Sequence, residues 1–389
     1  MPEHRLAPER KLHALQLGLE WFTHGAGGGA SRVMADLVRS LPAAGVAVCG
    51  TVAGPPDVKA LTGGSVESFS AHGASIGRRL LGARQVVNRL LRCREVDVVA
   101  AHFALYAAPC LDRLGSVPLI MHFHGPWAAE SRREGTGRAA AAAKYALERL
   151  VYRRAARVIV LSEAFALIAE RDYGIAAERV RVVPGSVDLA RFAVRETRAE
   201  ARSRLGWPAD RKLLLTVRRL SARMGLDHLL EAMVRVVHAE PTVLLHIAGR
   251  GPQEAALRLQ AEQLGLSGHV RFLGFLPDAD LPLAYRAADV NLVPTTALEG
   301  FGLTAAEALA AGTPSMVTPV GGLPEVVAKL SPALMFQSSS AADLAAGLLG
   351  VLNRAVELPD AAECAAYAAR HFSAQRMAAG VAAVYREVC

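Results

Sequence analysis

The chain has 389 residues, 52% hydrophobic and 21% charged, which is ample for two or three domains with large cores and excludes a mostly disordered protein. It carries 44 Lys and Arg against 36 Asp and Glu, a net charge of +8. The excess is one-sided: residues 1–194 hold 25 basic and 17 acidic side chains, whereas residues 195–389 hold 19 of each. No apolar run reaches the ~18 residues that a spanning helix needs. Residues 1–10 lack the apolar core of a signal peptide, and five scattered cysteines with no CxxC pair argue against a disulfide framework or structural zinc. A cytoplasmic protein with reduced thiols is the expectation.

Short runs rich in Val, Ile and Leu alternate with longer amphipathic stretches along the whole chain. Strands are predicted at 12–19, 45–53, 96–101, 117–123, 157–161 and 179–183, with helices at 30–41, 76–93, 138–156 and 163–173. Further strands follow at 212–217, 242–248, 269–273, 289–293 and 314–318, and then only helices, at 359–371 and 373–388. Continuous apolar strands alternating with helices imply parallel sheets covered on both faces. Their repetition implies an α/β chain of two Rossmann-like, doubly wound domains facing each other across a cleft. The stretch between Pro184 and Pro208, charged and lacking an apolar run, marks the boundary. The expected division is residues 1–190, residues 191–366, and a terminal segment 367–389.

The segment Glu299-Gly-Phe-Gly-Leu-Thr-Ala-Ala-Glu307 follows a strand and opens a helix. In a doubly wound sheet that turn lies at the ligand edge. Gly300 and Gly302 permit close backbone approach, and free N–H groups near Gly302, Leu303 and Thr304 form an anion site at the helix start. Two carboxylates flanking a phosphate site suit a phosphate held between two polyols, as in a sugar nucleotide; the alternative is a helix N-terminus with capping acids. Val217-Arg-Arg-Leu-Ser-Ala-Arg-Met-Gly225 opens on the same edge, where arginines can clamp a diphosphate. Within it Arg218 reads as a solvated loop residue. Gly249-Arg-Gly-Pro252 ends another strand but is not GxGxxG.

These elements together resemble the nucleotide-binding half of the family 4 glycosyltransferases, retaining enzymes of the GT-B fold. The resemblance rests on Glu299…Glu307, the Arg219…Arg223 loop, Gly249 to Pro252, Val270-Arg-Phe-Leu-Gly274, and Gly312-Thr-Pro-Ser with Gly321-Gly-Leu-Pro-Glu325. In the first half, Gly27-Gly28-Gly29 resembles the family's glycine loop beside the donor diphosphate, and Val183-Pro-Gly-Ser-Val-Asp188 resembles its PNGVD segment. His102 and His122-Phe-His124-Gly-Pro-Trp127 end adjacent strands, and His124 matches the position beside the transferred sugar. The loop departs from the family's Gly-Arg…Lys pattern, with Arg218 for Gly and Met224 for Lys; Arg223 is taken as the substitute cation.

The resemblance implies transfer of a sugar from a nucleotide-diphosphate donor, a UDP-sugar favoured and a GDP-sugar possible, to an acceptor hydroxyl with retention. His124, Arg219, Arg223 and Glu299 would carry the chemistry. Gly28, Gly29, Gly249, Gly251, Phe272, Leu273, Gly300, Phe301, Gly302, Leu303, Thr304 and Glu307 would bind the donor, with Glu307 on the ribose and 272–274 near the base. His102, His122 and Trp127 would lie on the acceptor side. The acceptor would be a sugar, a lipid-linked molecule or a small molecule. No cofactor, metal or nucleic acid is expected, and the terminal helix should cross back onto the first domain. A sugar-nucleotide epimerase and a non-catalytic nucleotide-sugar-binding subunit stay as alternatives. Residues 76–94, with six arginines interleaved among apolar residues, read as a surface helix with a core-facing stripe or as a contact with the inner face of a membrane. His24, beside the glycine loop, is left open.

Overall fold

The computed structural model describes residues 11–21 and 28–389. Its first sheet contains β1 (Leu12–Glu20), β2 (Val46–Ala53), β3 (Val66–Ser70), β4 (Val98–Ala101), β5 (Leu119–Phe123), β6 (Arg157–Val160) and β7 (Val180–Val182). They lie in the order β3-β2-β1-β4-β5-β6-β7. The second contains β8 (Lys212–Val217), β9 (Val243–Ala248), β10 (Val270–Gly274), β11 (Val290–Val293) and β12 (Ser315–Val317), in the order β10-β9-β8-β11-β12. Every pairing in both sheets is parallel.

Strands form where an apolar run can be buried on both faces: every residue of β4, β5 and β9 is buried. β3 differs. It is an edge strand of sequence Val-Glu-Ser-Phe-Ser that buries only Val66 and Phe69, so the apolar-run criterion does not find it. Helices cover both sheets. The Gly29–Ser40 helix lays Val33, Met34 and Leu37 inward and gives way at Leu41-Pro42 to a single tight turn. Thr197 with Glu200, and Asp360 with Glu363, form reciprocal capping boxes at two helix starts, each side-chain cap contributing about 1 kcal/mol.

The helix Ala374–Arg386 packs on the first sheet, burying Met377, Val381 and Tyr385 against Ala14, Leu37, Val98 and Ile120. Large apolar side chains buried in this way contribute roughly 1.5–3 kcal/mol each. The chain therefore passes between the two sheets twice, and the crossings touch: the Val187 N–H donates to the Phe372 carbonyl at 2.8 Å beside a parallel bridge from Val187 to Ser373. Contacts also span the cleft. Arg32 and Arg191 each pair with Asp278 at 3.0 Å. Glu325 accepts from the N–H groups of Glu163 and Ala164 at 2.9 and 3.0 Å, capping the Glu163–Tyr173 helix from the other half.

Residues 76–93 form one helix with Ala83, Val87 and Leu90 buried. Arg84 pairs with Asp112 and Arg89 with Glu67, while Arg78 and Arg92 are exposed, as are Ile76 and Leu81. Among the described residues no helix is long and apolar enough to cross a membrane.

Candidate functional site

In each sheet the strand order reverses once, between β1 and β4 and between β8 and β11. Ligands of open α/β sheets bind outside the carboxyl ends of strands at such reversals. The segments there are the start of the Gly29–Ser40 helix, His102 after β4, His124 after β5, residues 218–225 after β8, and residues 294–302 after β11. Gly27 and His24 lie outside the described residues. Gly28 caps the Gly29–Ser40 helix with extended backbone.

Arg218 is not the solvated loop residue expected. Its N–H still donates to Ala248, so it continues β8 and alternation turns its side chain inward. The side chain is only 5% exposed and is ion-paired with Glu299, 2.9 Å from the Met224 sulfur and 3.3 Å from the Thr304 hydroxyl. Arg219 turns outward, with its side chain 61% exposed and 3.8 Å from Glu134 of the facing half. Arg223 donates to the Leu298 carbonyl at 2.8 Å and lies 3.6 Å from Glu130. Leu298 itself holds a left-handed φ of 55°, a strained state for a leucine, immediately before Glu299. Arg218, rather than Arg223, thus ends against the Met224 side chain.

The two carboxylates sit in contrasting fields. Burial pushes Glu299 up, but the charge and hydrogen bond of Arg218, helped by Arg223 and the Thr295 hydroxyl, outweigh it and hold the group below its ordinary value. Burial also pushes Glu307 up, to about 7, because Arg32, Arg191 and the Tyr285 hydroxyl at 3.0 Å offset only part of it. Glu130 is pushed up to about 7 by burial, against the attraction of Arg223.

Between them lies Gly302, with φ of 98°, where a Cβ would meet the Leu323 side chain at 2.5 Å; the Leu303–Ala310 helix starts directly after it. Thr304 stands in the first turn of that helix. Gly300 packs against the His124 carbonyl and the Phe165 ring. The Phe301 side chain belongs to the core, edge-on to Phe372, which leaves only its backbone as a ligand contact. The Gly249 N–H is taken by the Gly274 carbonyl at 2.7 Å, and a Cβ would meet the Arg218 carbonyl at 1.8 Å. A Cβ on Gly251 would meet the Leu220 carbonyl at 2.2 Å. Both glycines let their loop lie against residues 218–220. Phe272 and Leu273 are partly buried at the end of β10, with the Arg258 guanidinium 4.6 Å from the Phe272 ring centre.

On the facing half, His102, His122 and His124 stack, with the His102 ring 4.3 and 5.2 Å from the other two. Burial holds all three in the neutral form, His122 at about 3 and His124 at about 4, with His102 also well below 6.5. The Trp127 ring packs edge-on to Phe103 and lies under Lys144, and the Trp127 backbone N–H donates to Glu148 at 2.9 Å.

Two cavities open along this edge. One of about 410 Å³ is lined by His124, Trp127, Glu130, Arg223 and Glu299; the other, of about 390 Å³, by Arg32, Arg191, Asp278, Leu303 and Glu307. A larger hollow, about 640 Å³, lies beside the two crossings, away from Glu299 and Glu307. Glu130 is a cleft residue that sequence reasoning did not single out, and Arg218 is one that it placed in solvent. The pairing of Arg for Gly at 218 with the loss of Lys at 224 in the same loop was the available signal for Arg218. Among the described residues no group of three or more His, Cys, Asp and Glu is arranged to hold a metal.

Two sheets of Rossmann order, with an arginine-backed carboxylate pair facing histidines across a cleft, define a glycosyltransferase of the GT-B class. The family described as "Glycosyltransferase Family 4" matches residues 27–191, and that described as "Glycosyl transferases group 1" matches residues 197–371. The chain is 31% identical over 273 residues to the 2-deoxystreptamine glucosyltransferase of Streptomyces kanamyceticus, covering 68% of this chain and 70% of that protein. It is 38% identical over 215 residues to a D-inositol 3-phosphate glycosyltransferase of Thermomonospora curvata, and spans about half of that protein's length, with 51% of this chain and 48% of the relative covered. Among solved structures, Anabaena HepE in complex with UDP superimposes with a TM-score of 0.76 at 21% identity, over 97% of this chain and 100% of that one. The chain belongs to glycosyltransferase family 4.

Proposed function

We propose that this glycosyltransferase moves a sugar from a UDP-sugar to a hydroxyl of a small polyol, with retention and without a metal ion. The observation that carries the reading is the division of the cleft: Glu307 stands in one cavity, while Glu299 stands in the other beside His124 and Arg223. A nucleoside fits the Glu307 side, where an ionised carboxylate accepts both ribose hydroxyls. The diphosphate then spans to the Leu303–Ala310 helix start and the 218–223 arginines, and the sugar lies by Glu299 and His124. UDP in the HepE structure supports the choice of base.

In the proposed reaction the acceptor oxygen bonds to the anomeric carbon on the face from which the phosphate oxygen leaves. The departing diphosphate takes the acceptor's proton. Arg218, Arg219 and Arg223 offset its growing charge, the task a divalent cation performs elsewhere. The relatives are named for 2-deoxystreptamine and D-inositol 3-phosphate, both ring polyols. A cavity of about 410 Å³ beside Trp127 and Glu130 suits such an acceptor, Glu130 taking hydroxyls or an amine. The exposed Arg78, Arg92, Ile76 and Leu81 support a peripheral contact with an anionic membrane face.

The experiment is a panel of UDP-, GDP-, ADP- and TDP-sugars, each offered with ring polyols and aminocyclitols, following nucleotide release and the anomeric configuration of the product. Release from UDP-sugars that depends on acceptor, giving the donor's configuration, is the expected result. Inverted product, or epimerised sugar without transfer, would overturn the reading.

A further inference from the structure

Five polar groups, four of them buried, form a continuous chain beneath the acceptor side of the cleft. The Gln16 amide nitrogen donates to the Tyr385 hydroxyl at 2.9 Å, and the Gln16 carbonyl oxygen lies 2.9 Å from His102 Nε2. His102 Nδ1 lies 2.9 Å from His124 Nε2, and the Tyr385 hydroxyl lies 3.1 Å from His122 Nε2. Gln16 and Tyr385 are fully buried, and His102 and His122 nearly so.

The orientation of the Gln16 amide sets the donors and acceptors along this chain. An amide oxygen only accepts, so His102 Nε2 carries its hydrogen; a neutral imidazole has one N–H, so His102 Nδ1 accepts, and His124 Nε2 must donate to it. His124 Nδ1 is left as a bare lone pair on a residue that lines the cavity with Glu299 and Arg223. At the other end, the tyrosine oxygen accepts from Gln16, and donation of its own hydrogen to His122 Nε2 places the His122 hydrogen on Nδ1. Burial keeps the rings neutral, as the logic requires. Apolar side chains would fill the same space without the desolvation cost of four polar groups.

We propose that Tyr385 and Gln16 are positioning residues for His124: through His102 they lock its tautomer and ring orientation so that Nδ1 accepts a hydrogen bond from a substrate hydroxyl. The inference rests on the reading of His124 as a substrate contact. It makes the helix Ala374–Arg386, whose Tyr385 lies 369 residues from Gln16 along the chain, a working part of the acceptor side.

Long-range ¹H–¹⁵N correlation of the histidine rings tests the lock without any substrate, each ring being assigned by a single His→Gln variant. At pH 7 the expected pattern is a hydrogen on Nε2 of His102 and His124 and on Nδ1 of His122. Tyr385→Phe, which keeps the ring, should return His122 to the Nε2–H form. With donor and acceptor present, Tyr385→Phe and His102→Phe should each lower kcat about ten-fold while leaving KM for the nucleotide sugar within about two-fold, since a misplaced group affects the reacting geometry first. A hydrogen on His124 Nδ1, an unchanged His122 in Tyr385→Phe, or full kcat in both variants would overturn the proposal. Absence of any transferase activity in the wild-type protein would instead count against the proposed function, leaving the ring pattern to be read on its own.

Discussion

Replacing Arg218 by Met keeps most of the side-chain volume but leaves Glu299 without the partner whose charge and hydrogen bond hold it ionised. Breaking a buried ion pair from one side costs about 3–5 kcal/mol, much of it the penalty for the abandoned charge. The penalty depends on pH in a definite direction. In the wild-type protein Glu299 titrates below its ordinary value, so the pair contributes fully above about pH 4.5 and is lost as the pH falls through the lower folded value. In Arg218→Met burial, the largest effect, is opposed only by Arg223 and the Thr295 hydroxyl and raises the folded value; the folded state then holds a proton that it must give up as the pH rises. The destabilisation should therefore be largest at pH 8, about 3 kcal/mol, and shrink at pH 5. Urea midpoints at the two pH values measure it, and Arg218→Met/Glu299→Gln should recover stability relative to Arg218→Met alone. A loss that is equal at both pH values, with additive effects in the double variant, would show that Arg218 is solvated and that the pair contributes nothing.

Because burial lifts Glu307 to about 7, it must lose a proton to accept ribose hydroxyls. Affinity for a UDP-sugar, whose phosphates do not titrate near neutrality, should rise about ten-fold from pH 6 to pH 8 by calorimetry; Glu307→Gln should bind weakly with a flat profile, and a flat wild-type profile would contradict the assignment. Transfer should persist in EDTA, since arginines and a helix N-terminus stabilise the leaving diphosphate; loss on chelation with recovery on Mg²⁺ would contradict this. Sedimentation with anionic vesicles should pellet the protein at low salt and not at high salt, and Arg78→Gln/Arg92→Gln should weaken pelleting; no pelleting at low salt removes the membrane contact.

The fold was legible because buried parallel strands write themselves as uninterrupted Val, Ile and Leu runs, as in β4, β5 and β9. β3 was not, since this edge strand buries only Val66 and Phe69. The glycines around Glu299 and Glu307 marked a turn at the ligand edge, so both carboxylates could be found. The arginines were harder. Arg218 and Arg219 are adjacent and chemically identical, and only the continuation of the β8 ladder by one residue decides which one is buried against Glu299. The polar chain beneath the histidines was beyond local pattern altogether: Gln16 shows only as a polar residue in a buried strand, and Tyr385 as one more apolar position on an amphipathic helix.

The paired crossings at Val187 and Phe372 make the second sheet an insertion into the first unit. During synthesis the inserted unit has all five of its strands well before residues 374–386 exist, whereas the first sheet keeps an apolar face bare until that helix arrives. The part of the protein that is made first therefore finishes folding last. Its exposed Ala14, Val98 and Ile120 surface is what a chaperone would have to shield in the interval, and cleavage or truncation within residues 374–386 would recreate that nascent state in the mature chain.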